Sequence, residues 1–355
     1  MDTKPVRRIV PGRSLTQGSL DVRRYKPRCM DVATALPWLR VLTLVICLSL
    51  AAYSDYSSLM VRDRHWLVFS IPVSALLVAD LALMETTFSN YFMVLSLIAA
   101  ASLSIFSPPN YRNYSSWNNH EKLLAILLVT GLLGLFVGAY QNIEVDFLNL
   151  ILGDEDEHKT LWWTLLSAIL VILILLSSWH VGVIQGGADV KALILLTVLM
   201  PSWKFLPPPL VYESAPTSGL PPTFVIFLWA SAAFIIAPPI LMIQNAINGK
   251  IESLSDMKMA WHATKKPLRD IGEKPVWILT EILRSVDGSD TTISNRILPS
   301  RNSSSPGELS ARIAELEEHG VEYAWVASKH PFIAYLFVAI IPLVLFGDPL
   351  AIILN

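Results

Sequence analysis

Apolar residues run along this chain in long blocks, broken by short polar stretches. The blocks fall at about 36–54, 66–84, 91–106, 121–140, 161–180, 189–206, 222–244 and 330–353. A hydrocarbon core of about 30 Å takes roughly 20 helical residues to cross, so each block reaches that length or comes near it; the third is the shortest. No run alternates with period two, which argues against a transmembrane β-barrel. Trp38, Trp66, Trp162, Trp163 and Trp203 sit near block edges, where an interfacial aromatic belt is expected. The pattern predicts an all-α polytopic membrane protein: a bundle of about eight transmembrane helices with one small soluble insertion.

The polar stretches divide the chain. Residues 1–35 form a basic N-terminal extension expected to be disordered, and 36–244 hold seven spans. Residues 245–328 form the soluble segment, and 329–355 the last span. Within the soluble segment, "DGSDTTISNRILPSRNSSSPG" reads as a flexible polar loop. "SPGELSARIAELEEHG" reads as a helix, with Ser305 as N-cap, Pro306 in the first helical position, Glu308 completing a capping box and Gly320 at the end. Its apolar residues are too few for a large independent core, so it is expected to pack on the membrane face or on a partner.

Composition agrees with the pattern. Of 355 residues, 53% are hydrophobic and 16% charged, and the mean hydropathy is +0.50. A soluble chain carries about 25% charged residues, so the lipid bilayer is this protein's solvent. A net charge of −2 gives no reason to expect a nucleic-acid partner. Cys29 and Cys47 alone build neither a four-cysteine zinc site nor a disulfide framework. No early apolar block ends in a small-residue cleavage site, so no removable signal peptide is expected.

Ionisable residues at the edges of spans are costly unless paired or used. Four aspartates fall there: Asp55, Asp80, Asp189 and Asp348. Asp55 ends the first span and Asp189 begins the sixth. Four spans intervene, an even number, so both reach the same face. Asp80 lies roughly 21 Å along its helix from Trp66, near the opposite face, and Asp348 tends the same way. Two carboxylates at one interface suit aspartic hydrolysis. Close like charges share one proton: the ionised member takes a proton from the attacking water, and the protonated member hydrogen-bonds the peptide carbonyl. Gly186 and Gly187 precede Asp189 and let the backbone turn and a substrate strand approach. Two competing readings remain open: aspartates that only anchor helix ends, and a proton- or ion-coupled transporter using the same aspartates. Transporters generally show repeated halves, and this chain shows no internal repeat.

"GGADVKAL", residues 186–193, resembles the second catalytic motif of the archaeal prepilin and preflagellin peptidases, membrane aspartic proteases of the GxGD type. "SDYSSLMVRDRHW" is similar to the first motif, with Asp55, Val61, Asp63 and Trp66 at matching spacings. "YAWVASKHPFIAYLFVAIIPLVLFGD" resembles the family's last span. Ala188 stands in place of the strict motif's last glycine, Arg62 in place of a usual proline, and Leu59 where a basic residue is frequent. The interval between the aspartates is longer than in compact members by the length of two spans, which preserves parity. The resemblance implies an aspartic endopeptidase with Asp55 and Asp189 as catalytic residues, supported by Gly186, Gly187, Ala188 and Lys191. It implies cleavage of a short basic leader (a class III-type signal peptide) from pilin-like or archaellin precursors at the cytoplasmic face of the cell membrane. With neither CxxC pair of the bacterial relatives, peptidase activity without N-methyltransferase activity is expected, with no metal or organic cofactor.

The remaining charged residues read as supports. Lys191 is about 200° around the helix from Asp189 and is expected to face elsewhere and anchor the helix end. Trp179 and His180 read as an interfacial pair, Asp63 as a solvated loop residue and "GDEDEH" as an exposed outer loop. The first forty residues carry nine Lys or Arg, which the positive-inside rule would keep in the cytoplasm, whereas a cytoplasmic dyad puts the N-terminus outside. A start at Met30 removes eight of those charges; a translocated extension or an inverted bundle are the alternatives.

Overall fold

The computed structural model describes residues 32–58, 60–110, 112, 117–142, 144, 157–184, 186–207, 220–271, 276–284, 291–297, 306–328 and 331–354. The basic extension up to residue 31 with Cys29 and Met30, the acidic stretch 153–156 and the Ser305 cap lie outside them.

The apolar blocks form helices α1 (Val32–Ser58), α2 (Asp63–Leu83), α3 (Phe88–Ser102), α4 (Asn119–Gln141), α5 (Glu157–His180), α6 (Gly187–Leu199) and α7 (Pro222–Ile247). Among the described residues five helices are long and apolar enough to cross a membrane: Thr34–Ser58, Asp63–Leu83, Asn119–Gln141, His158–His180 and Pro222–Ile247. The chain is mostly helical, as a helical membrane protein requires.

Three of the expected spans take a different form. The third is a helix of 15 residues that stops at Ser102. The sixth ends at Leu199 instead of running to 206, because Pro201 disfavours helix in the residue before it; a 3₁₀ turn follows at Trp203–Phe205. The eighth is broken into α10 (Phe332–Val338), α11 (Ile340–Phe346) and α12 (Pro349–Leu354). Pro342 lacks an N–H and its ring would clash with the carbonyl of Val338, where α10 stops. Gly347 has φ 73°, which frees the chain to turn before Pro349 opens α12.

At the centre lies α6, in contact with α1, α2, α3, α5, α7 and α10. From Val190 onward its residues are buried almost all round, including Leu193, Ile194 and Leu196. A helix apolar on every face belongs in the middle of a bundle. Its one inner hydroxyl, that of Thr197, pairs with the Thr223 hydroxyl on α7 at 3.0 Å. The tryptophan belt does not hold as expected: Trp66 and Trp162 are each only 2% exposed and fill the interior, and of the five Trp38 alone is exposed, at 40%.

The soluble segment contains β-structure as well as helix. After α8 (Leu254–Ala260), strands β1 (Thr264–Pro267), β2 (Val276–Ile278) and β5 (Tyr323–Ser328) form an antiparallel sheet in the order β1-β5-β2. Strands β3 (Thr280–Arg284) and β4 (Thr291–Asn295) form a hairpin, so part of the expected flexible loop is strand. Helix α9 (Pro306–Glu318) has the predicted position, with Pro306 first and Gly320 at φ 73° just beyond it. β5 is covered on both sides. Trp325 and Ala327 meet Met259, Ala260 and Leu279, while Ala324 and Val326 meet Leu268, Ile278 and Leu316. These are two small cores, and the first includes Met242 of α7, which joins the insertion to the bundle.

Candidate active site

Asp55 owes its direction to the period of α1. Leu44, Cys47, Leu48, Ala51 and Asp55 are all buried, and their spacing of three and four puts them on one stripe. Tyr53 and Tyr56, off the stripe, are 75% and 64% exposed. The carboxylate therefore continues an apolar seam to its end, one turn before the helix stops. There it accepts a hydrogen bond from the backbone N–H of Ile333. That N–H belongs to the first turn of α10, where helices have no internal partner for their donors. α1 and α10 pack together, with Ala51 fully buried; so small a side chain lets two helices approach closely.

Asp189 stands in the first turn of α6, and Gly186 is that helix's N-cap, with φ −83° and ψ 103°. The helix dipole favours a negative group at this position. The Asp189 side chain folds back over Gly186: a Cβ at 186 would lie 2.7 Å from Asp189 Cγ and collide with the carboxylate. A Cβ at Gly187 would come 3.1 Å from Trp179 Cζ2. Both glycines thus have steric reasons, the first to seat the carboxylate and the second to seat the end of α5. Asp189 is close enough to feel the charge of Asp55. Two carboxylates 134 positions apart in the chain thus come within electrostatic reach of each other at one end of the bundle.

The other residues around them have definite partners. Lys191 does not merely anchor a helix end: its ammonium pairs with Asp63 at 2.5 Å and lies over the Trp179 ring at 5.8 Å. Asp63, expected to be solvated, is thereby an ion-pair partner, and as the first residue of α2 it also sits at the favourable end of that helix dipole. The bridge ties the loop after Asp55 to the helix carrying Asp189. Ala188 is half-buried against the main core, and His180 is exposed. Beside the Asp55 turn a cleft of about 560 Å³ opens, lined by Ser54, Met60, Val61, Arg62, Arg64 and His65 among others. Among the described residues no three His, Cys, Asp or Glu side chains gather as a metal site would need.

At the far end of the same α1 stripe is Arg40, fully buried although it follows the basic tail in sequence. Arg40 Nε donates to Asp80 Oδ2 at 3.0 Å, and its Nη2 meets the same carboxylate oxygen. Nη1 donates to the carbonyl of Leu199, at the C-terminus of α6, and the guanidinium lies 4.8 Å from the Phe205 ring centre. Arg40 is thus the buried partner of Asp80. Arginine inside an apolar block was the available signal. Asp348 is buried as well and accepts from the N–H of Leu350 at 3.0 Å at the start of α12. Arg40 and Asp55 are 15 residues, about 22 Å, apart on α1, so the ion pair and the dyad occupy opposite ends of the bundle.

No protein-family model matches the chain, and no curated protein matches it significantly.

Proposed function

We propose that this protein is a membrane-embedded aspartic endopeptidase whose dyad is Asp55 and Asp189. The observation that carries the reading is that these two carboxylates, from the end of one helix and the start of another, lie within electrostatic reach of each other at one end of an apolar bundle. Helix-end anchoring alone gives no reason for two like charges to converge, since their repulsion is strongest in a low dielectric.

In the proposed reaction the dyad shares one proton. The ionised carboxylate removes a proton from water as its oxygen attacks the scissile carbonyl carbon. The protonated carboxyl hydrogen-bonds the carbonyl oxygen and stabilises the negative charge that develops there. Collapse of the tetrahedral intermediate breaks the C–N bond. The amine leaves with a proton from the dyad, which returns to its singly protonated state. The proton belongs to the pair and not to one member. The Ile333 N–H holds Asp55 in position, and the missing Cβ at Gly186 leaves room for Asp189.

The substrate class follows from the motif resemblance: pilin-like or archaellin precursors, cut after a short basic leader on the cytoplasmic side. The insertion is then cytoplasmic as well. The test is incubation of purified full-length protein, in lipid, with precursor peptides containing the leader junction, with mass spectrometry of the products. A single cut at that junction supports the proposal. Intact peptides together with proton or ion flux in proteoliposomes would favour the transporter.

A further inference from the structure

Shortly after α7 ends at Ile247, helix α8 turns an apolar face outward. Leu254, Met257 and Trp261 are 81%, 50% and 47% exposed. At about 100° per residue they fall within an arc of about 60°, with Lys258 beside them. The opposite side, Met259 and Ala260, is buried against Trp325 in the insertion core. Three large apolar side chains displayed on one short helix call for a covering surface.

The attachments of α8 indicate which surface that is. Asn245, buried near the end of α7, donates from Nδ2 to the carbonyls of Ala260 at 3.0 Å and Ala263 at 2.8 Å. Met242 of α7 packs against the same core. α8 is therefore fixed to the final turns of a membrane-crossing helix, whose Ile243 and Ile247 are themselves exposed. Around it stand cations. Lys258 rises beside the apolar face, and Lys250, Lys265 and Lys266 line a cleft of about 820 Å³ at the α7 exit. Of the nearby acids, Glu252 pairs with Lys265 at 3.7 Å, and Asp256 accepts the Glu252 N–H at 3.2 Å.

We propose that α8 lies in the headgroup layer of the leaflet from which α7 emerges. Leu254, Met257 and Trp261 enter among the acyl chains, and Lys250 and Lys258 meet anionic lipid phosphates. An interfacial helix has this make-up, apolar on one side and lysine at its rim, and each lysine near an anionic leaflet strengthens the attraction. The contact does not depend on the chemistry of the dyad. It has a consequence for it, however: β5 of the docked insertion ends at Ser328, and α10, whose Ile333 N–H holds Asp55, begins at Phe332.

The test uses full-length protein in lipid nanodiscs, with Cys29→Ser and Cys47→Ala and a single reporter cysteine carrying an environment-sensitive fluorophore. Met257→Cys reports the apolar face, and Arg269→Cys, whose native side chain is 87% exposed, is the aqueous control. The label at 257 should emit to the blue and be quenched by nitroxide lipids of shallow depth, while the label at 269 should respond only to a water-soluble quencher. Quenching at 257 should be stronger in phosphatidylglycerol than in phosphatidylcholine discs, and Lys250→Gln with Lys258→Gln should erase that difference. A label at 257 as open to the aqueous quencher as that at 269, or shielded from both quenchers as under a protein partner, would overturn the proposal. Equal lipid quenching in both disc types would overturn the assignment of the lysines to phosphate.

Discussion

Replacing Gly186 by alanine adds one methyl group next to Asp189 and nothing else. The new Cβ would stand 2.7 Å from Asp189 Cγ, where non-bonded carbons rest at about 3.5–4.0 Å. The carboxylate must therefore move by about 1 Å or rotate away. A misplacement of about 1 Å at a reacting group costs on the order of 100-fold in rate. The backbone itself accepts alanine, because φ −83° and ψ 103° are ordinary extended values. Alanine is a poorer N-cap than glycine by roughly 1 kcal/mol or less, so folding should survive. The expected result is a fall in kcat of about 100-fold on a precursor peptide, with unchanged abundance and a melting temperature lowered by only a few degrees. The assay is initial-rate cleavage in detergent or nanodiscs, run alongside thermal unfolding of the same sample. A variant that kept more than about half of the normal rate would refute the role given to this carboxylate, since the predicted displacement is too large for chemistry to ignore.

Three further outcomes are expected. Gly187→Val should damage turnover more than Ala188→Gly, because its branched side chain enters the space held by the Trp179 ring 3.1 Å away, whereas Ala188 is half-buried and loses only a methyl group; comparing kcat of the two purified variants checks this. Arg40→Met should destabilise the protein by about 3–5 kcal/mol, the cost of leaving a buried charge without its partner; the deficit should appear in thermal unfolding and be relieved when Asp80→Asn is added. For topology, Arg269→Cys in the insertion and Glu85→Cys in the turn between α2 and α3 should lie on opposite sides; in intact cells an impermeant thiol reagent should label position 85 and spare 269, and the reverse pattern would invert the proposed orientation.

The helical framework was legible because the apolar blocks are long enough to cross a bilayer or nearly so. Asp55 was legible twice, by the parity of crossings and by the motif around it, and Asp189 through the glycines before it. What escaped notice has physical causes. β5 shows no alternation because both of its faces are covered, by Trp325 and Ala327 on one side and Ala324 and Val326 on the other, and strands buried on both faces lose the period-two signal. Its pairing of Thr264 with Val326 spans more than sixty residues, beyond any local pattern. The Ile333 N–H is a backbone group and leaves no mark in composition. The break in the last helix was signalled by Pro342, but the apolar length of the block at 330–353 outweighed it. Arg40 was hidden by proximity to a basic tail, although its position inside an apolar block set it apart. Lys191 and Asp63 were each read alone, and only the packing of α2 on α6 makes them a pair.

Asp55 and Asp189 are proposed to form one catalytic unit, and the decisive measurement is cleavage of a leader-containing precursor peptide by the Asp55→Asn, Asp189→Asn and doubly substituted proteins, each purified and shown to be folded. Either single change should abolish the cut, and the double variant should be little worse than either, because residues acting as a unit are not additive. Near-normal cleavage by either single variant would contradict it.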